Sequence, residues 1–383
     1  MMGVPSLRST CAALALASMA VTGQAQEQVP EDLTTIPPVS DDYQPSKTAW
    51  GDPDFTGSWP LNDIAELPIE RPAQYGDRFW KTPEEAAADA SRSERLQTAY
   101  EAESEDDTIG IGHWIEYEGG SRRTSMLVEP ADGQLPSLTE EGIRRSGLGR
   151  SSWTPGQTYD WVTDFDSWDR CISRGFPASM FPFRYNNGIR IYQAPGYVTI
   201  ALEMLGTRII PVSGETEQWP APVKAWMGDS RGRWEDGNTL VVETTNIQSG
   251  AAPLNMATRG VPRNNTVPMS DQARVIERFH MTGPDTITYE MTYEDPEIFE
   301  APFTTRVNWS RDDEYEFYEY ACHEGNVQVR NYITANRAAR AAEYERGRMF
   351  EPLAWQQERP PMDPASSSAA RNRSAQNEQS DAN

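Results

Sequence analysis

Three histidines occur in the 383 residues, His113, His280 and His323, and imidazole is the side chain best suited to moving a proton near neutral pH. His323 stands in Cys322-His-Glu-Gly-Asn326, at the end of an aromatic run, which makes it the first candidate for a general acid or base. Glu324 follows it. On a strand the two would point to opposite faces, so Glu324 is a candidate in its own right, not a ready partner. Arg174 and Arg231 are candidates for stabilising developing negative charge. They belong to two arginine pairs, Arg170 with Arg174 and Arg231 with Arg233, in loops containing Gly and Ser. On an acidic chain the plainer role of such arginines is to pair with carboxylates inside the fold.

A second group of residues could hold a ligand. Glu203 and Glu243 sit among apolar and β-branched residues, where two carboxylates in a lumen could share acid and base roles. Pairing with Arg208 or Arg190 on a solvent face is the alternative. Tyr185-Asn186-Asn187 offers a phenol and two amides, in a pattern that also suits a turn. Asp229 and Arg233 extend the polar cluster around Arg231, and Asn326 closes the motif that holds His323. Trp153, Trp161, Trp168, Trp226 and Trp234 cluster near these motifs; Trp226 and Trp234 are the ones expected to wall a site. His113, in Gly112-His-Trp114, could line the same mouth, whereas His280 alternates with Arg278 and Ile276 and reads as a surface neighbour. The histidines have no metal-ligand spacing, so no metal is expected. No P-loop, G-x-G-x-x-G, G-x-S-x-G or C-x-x-C-H motif occurs, and no cofactor is expected.

The elements that must position these groups are mostly strands. Met227 to Ile247 reads as one hairpin with a charged entry: Asp236-Gly237-Asn238 supplies the turn and Thr239–Thr245, β-branched at most positions, the strand. Further strands are expected over 125–129, 189–193, 197–205, 208–212, 240–245, 274–281, 286–293, 303–309 and 315–322. Short turns such as Ala194-Pro-Gly-Tyr197 imply antiparallel neighbours. Val198, Ile200, Leu202 and Met204 share one dry face, and Tyr197, Thr199, Ala201 and Glu203 a mixed one. Thr82-Pro-Glu-Glu85 starts a helix to about Glu103, Thr139 caps a second, and 336–346 forms a third. Gly57-Ser-Trp59 has the G-x-W spacing of the opening strand of lipocalin-like barrels. The expected fold is therefore mainly β: an antiparallel barrel or deep half-barrel, lipocalin or calycin-like, with an N-terminal helical excursion and a C-terminal helix. Residues 26–50 should be a flexible linker, 51–350 a single β-rich domain with a helical insertion at about 82–150, and 351–383 a disordered tail.

Several motifs carry a resemblance. Asp169-Arg-Cys-Ile-Ser-Arg-Gly175, Gly228-Asp-Ser-Arg-Gly-Arg-Trp-Glu235, Leu240-Val-Val-Glu-Thr-Thr-Asn246 and Tyr318-Glu-Tyr-Ala-Cys-His-Glu-Gly-Asn326 resemble a large group of exported bacterial proteins. Tyr185-Asn-Asn187, Ala194-Pro-Gly-Tyr197 and Glu294-Asp-Pro296 belong to the same pattern, which spans about Pro53 to Asn336. The resemblance implies a shared fold and a periplasmic or secreted life. It carries no activity, and so no catalytic residue.

Charge and cysteines bound the setting. The formal net charge of −24 repels phosphate backbones and argues against nucleic acid. Residues 1–25 read as a cleavable secretory signal, with a Cys11–Val21 apolar run too short to span a bilayer, so no membrane insertion is expected. Cleavage leaves Cys171 and Cys322, an even pair that in an oxidising compartment suggests a disulfide, with two buried free thiols as the alternative. The expected function is cofactor-free acid–base chemistry, of lyase, hydratase or isomerase type, on a small organic or sugar-like molecule. A lipocalin-like carrier of a small ligand without catalysis, and an envelope scaffold, are the alternatives.

Overall fold

The computed structural model describes residues 29–106, 108, 121–146, 158–212, 217–248 and 268–345. The expected signal at 1–25, His113, Trp153 and the expected tail at 351–383 lie outside the described residues.

Among the described residues ten strands form two antiparallel sheets. The small sheet has the order β1 (Gly57–Ser58), β3 (Ile189–Ala194), β4 (Tyr197–Leu202), β5 (Thr207–Pro211). The large sheet has the order β2 (Leu127–Glu129), β10 (Phe303–Ser310), β9 (Thr286–Glu294), β8 (Arg274–Gly283), β7 (Thr239–Thr245), β6 (Asp229–Glu235). The expected central hairpin is present. Glu235 faces Thr239 across the turn, and Asp236 and Gly237 take left-handed φ values of 54° and 79°. Its charged entry is itself a strand, β6, because Asp229 to Glu235 pairs in register with β7.

Alternation sets the two faces. In β8, Val275, Glu277, Phe279 and Met281 turn inward; Arg274, Arg278 and His280 turn outward. In the small sheet Val198, Ile200 and Ile210 are buried and Tyr197 is exposed. The inner faces of both sheets meet in one apolar cluster that includes Val198, Ile210, Leu240, Phe279 and Trp309. No barrel closes among the described residues. The sheet edges are β1 and β5 in one sheet and β2 and β6 in the other; no ladder joins β5 to β6, which are linked instead by a side chain, Arg208 Nη2 donating to Ser230 Oγ at 3.2 Å.

The outer face of the large sheet is a ladder of ion pairs. Arg278 meets Glu235, Arg274 bridges Glu243 and Glu294, and Glu290 lies between Arg306 and His280. Burial pushes the Glu290 carboxyl up, but His280 and Arg306 together hold it below its ordinary range. Inside, Arg208 and Glu277 form a bidentate pair that is 1% and 0% exposed. The sheets are thus joined by a buried charge pair as well as by apolar contact.

Helix α1 (Pro83–Glu105) starts as its sequence implies: Glu85 N–H donates to Thr82 Oγ1 and Thr82 N–H returns to Glu85 Oε2 at 2.8 Å. Thr139 caps α2 (Glu140–Ser146) through the N–H of Gly142. Helix α3 (Gln328–Glu345) begins eight residues before the position expected from composition, because Tyr332 packs edge-to-face on Tyr159. The segment expected to be a flexible linker is extended but fastened: Thr35 O accepts Trp80 Nε1–H, and Val29, Leu33 and Ile36 pack on Phe79, Trp80 and Val128. No helix among the described residues is long and apolar enough to cross a membrane.

Candidate functional site

The expected strand over 315–322 does not form. Its alternation of aromatic and acidic residues suits a strand, yet a carboxylate stands where a neighbouring strand would be. Glu203, at the end of β4 and only 6% exposed, accepts from Tyr318 N–H at 3.0 Å and from Tyr315 O–H at 2.7 Å. The same carboxylate accepts from Gly188 N–H and Asn186 Nδ2. Two of these four donors, Tyr315 O–H and Tyr318 N–H, fasten residues 315–318 across the end of the small sheet as a strap, and the other two tie the carboxylate to the loop before β3. Gly188 is required there: a Cβ would lie 2.7 Å from Glu203 Oε2, Tyr315 and Phe317. Arg190 adds a bond to Tyr315 O and lies 4.6 Å over the Phe317 ring.

The strap continues to Cys322, which is bonded to Cys171 with Cα atoms 5.6 Å apart. Asn326 Nδ2 donates to Asp169 O and Cys171 Sγ, so the turn after Cys322 is held to the same loop. Between the strap, the loop at Trp168–Cys171 and the start of α3 lies an open cleft of about 1110 Å³. Tyr185, Tyr318, Tyr320 and Tyr332 supply its aromatic walls. Asp169, Glu319 and Glu324 supply carboxylates; Asn186, Asn326, Gln328 and Asn331 supply amides.

The floor is tuned by burial. Tyr185 and Tyr320 share a hydrogen bond, and burial, aided by Tyr320, pushes the Tyr185 phenol up to about 12 against the pull of Arg174 and Arg184. Burial lowers the Arg174 guanidinium to about 10, opposed by Tyr320 and Tyr185, so it remains a cation at neutral pH. Arg174 donates to Phe181 O and lies 5.1 Å over the Phe183 ring. It sits beneath the phenols and does not line the cleft.

The sequence candidates divide between this cleft and other places. Glu324, Tyr185, Asn186 and Asn326 line it, and the Cys171–Cys322 bridge forms part of its wall. His323 does not: it is exposed, between two lining residues, and no bond of its ring is seen among the described residues. Arg231 pairs with Asp229 at the edge of the large sheet and donates to Glu217 O, while Asp229 accepts from Trp219 N–H. That pair fastens the 217–219 loop. Arg233 pairs with Glu235 on the outer ladder, and Trp234 packs at a tilt against Phe55 with ring centroids 5.4 Å apart. Arg170 covers the Trp226 ring at 5.7 Å. Glu243, held low first by its hydrogen bond from Arg274, lies on the outer face of the other sheet, so Glu203 and Glu243 are not a pair. Asn187 closes a turn on Phe183 N–H and O. His280 bonds Thr239 Oγ1 and Glu290, half-buried in the ladder.

The structure therefore brings together Tyr185, Asn186, Glu324 and Asn326 and leaves Arg174, Asn187, Glu203, Asp229, Arg231, Glu243 and His323 out of the lining. Tyr318, Glu319 and Tyr320 were overlooked because the strand reading spent their side chains on sheet faces. Tyr332 was overlooked because α3 starts earlier than its composition indicates. Among the described residues no three His, Cys, Asp or Glu side chains are grouped to hold a metal ion. No family model and no curated protein matches the chain.

Proposed function

We propose that this chain is an exported small-ligand-binding protein whose site is the cleft under the Cys171–Cys322 bridge. The observation that carries this reading is the convergence of four tyrosines with amides and carboxylates on one concavity that His323 does not line. Concave sites with aromatic walls and a few polar groups are the usual form of a ligand pocket. Acid–base catalysis needs a proton-transferring group within hydrogen-bond reach of the bound molecule, and the favoured histidine lies outside. The ligand would sit at a rim beside the small sheet, a carrier's role like that of a lipocalin but without a barrel lumen. Export accords with the leader-like residues 1–25, with the acidic charge and with a disulfide, which persists in oxidising compartments.

The test is a panel of small organic molecules, scored both for a rise in Tm and for chemical change of the molecule by NMR. The reading expects at least one class to raise Tm, equally for the parent and for His323→Ala, without turnover. Turnover that disappears in His323→Ala would overturn it in favour of acid–base chemistry.

A further inference from the structure

We propose that the cleft takes an organic ammonium cation, an inference that rests on the ligand-binding reading above and names its chemistry. Glu319 and Glu324 line the cleft, are exposed, and make no side-chain hydrogen bond or ion pair among the described residues. Among the described lining residues there is no Lys, Arg or His, so an anionic ligand would meet carboxylates with no cation on the cleft wall. The aromatic walls suit a cation. Tyr318 is 65% exposed and Tyr332 39%, leaving ring surface open, and Tyr332 is fixed edge-to-face on Tyr159 at 5.5 Å. Ammonium groups bind over such ring faces through the aromatic quadrupole.

The amides argue in the same direction. Asn186 and Asn326 already donate to Glu203, Asp169 and Cys171, so part of the donor set that a neutral polyol would need is spent on the fold. Two cations oppose the assignment, Arg174 and Arg184, and both act on Tyr185. The spare carboxylates belong instead to the 319–324 turn. A cationic head would therefore settle near the strap and α3, with its organic remainder toward Tyr185. The net charge of −24 draws cations toward the whole surface and favours the encounter.

Isothermal titration of the disulfide-bonded protein at low salt tests this with three probes. They are choline, its neutral isostere in which carbon replaces the quaternary nitrogen, and glucose. Choline is expected to bind, more weakly at high salt, and the isostere to bind about tenfold or more weakly, as loss of a cation–π and ion-pair contribution implies. Tyr318→Leu should weaken choline about 2- to 30-fold, the span of measured cation–π contributions, while Tyr318→Phe keeps it. Glu319→Gln with Glu324→Gln should weaken choline and leave the isostere unchanged. All these positions are exposed, and unchanged circular dichroism checks the fold. Equal binding of choline and isostere, or binding of glucose alone, overturns the cation assignment and leaves the cleft a ligand site. No binding of any probe also overturns it, and only a blank result from the wider panel as well removes the ligand-binding reading.

Discussion

The pair between Arg208 and Glu277 ties the two sheets together, and removing one partner should be among the most damaging changes available. Arg208 Nη1 donates to Glu277 Oε1 at 2.8 Å and Tyr289 O–H donates to the same oxygen at 2.8 Å. Arg208 Nη2 also reaches Ser230 and Thr244, and its guanidinium lies 4.4 Å over the Phe176 ring. Glu277→Leu keeps the volume but strands a cation in the core, at a cost of about 3–5 kcal/mol. The hydroxyl of Tyr289 loses its acceptor, which accounts for about 1–3 kcal/mol of such a loss. Arg208→Met strands the carboxylate instead. The double variant removes both charges, leaves Ser230 bonded to Thr244, and should fall within about 2 kcal/mol of the parent, since apolar replacement of a buried pair is often near neutral. Urea unfolding followed by circular dichroism gives all four corners of the cycle. A coupling of about 3 kcal/mol or more is expected from the difference between the singles and the double. Singles that each cost less than about 1 kcal/mol, or costs that simply add, would refute the claim that this pair joins the sheets.

Three other outcomes follow from the same geometry. The carboxyls of Glu85 and Glu141 are lowered from the ordinary 4.5 to about 2, first by hydrogen bonds from Arg78 and from Arg144 with Arg145 respectively. The unfolded chain binds more protons between those values, so stability should fall as pH drops from about 4.5 toward 2; Glu85→Gln with Glu141→Gln should flatten that slope in acid urea titrations. Cys171→Ser with Cys322→Ser opens a loop closed across 151 positions and should cost about 5 kcal/mol in the chain-entropy model, read as a lower urea midpoint. Alkylation of the native protein should leave Cys171 and Cys322 unmarked until it is reduced, and an unchanged midpoint would contradict a stabilising bridge. Glu203→Gln leaves some of four donors unmet and should cost about 1–3 kcal/mol, with earliest proteolysis in residues 315–322; a first cut elsewhere counts against the strap.

Much of the scaffold is legible in the residues alone because it depends on local chemistry. Thr82 and Glu85 announce a helix start, Asp236-Gly237 a tight turn, and the alternation in β4 its buried face. Glu277 falls on the same parity as Val275, Phe279 and Met281, so its inward direction was readable too. Its partner was not, since Arg208 is 69 residues away on another sheet and pattern carries no information about which sheets face each other. The 315–322 segment has a strand's alternation, and only the approach of Glu203, 112 residues distant from Tyr315, replaces a ladder with side-chain acceptors. Closure of a barrel likewise depends on whether two edges pair, a property of the assembled fold. The prominence given to His323 and Arg231 followed from their motifs. Arg231 is spent on Asp229 and the 217–219 loop, a partner close in sequence but invisible without the strand that aligns them.

The most direct test of the account is a crystal structure of the protein grown with choline. The trimethylammonium group is expected inside the cleft, against tyrosine ring faces and within ion-pair reach of Glu319 or Glu324. Choline bound at another place, with this cleft filled by the protein's own side chains, would contradict it.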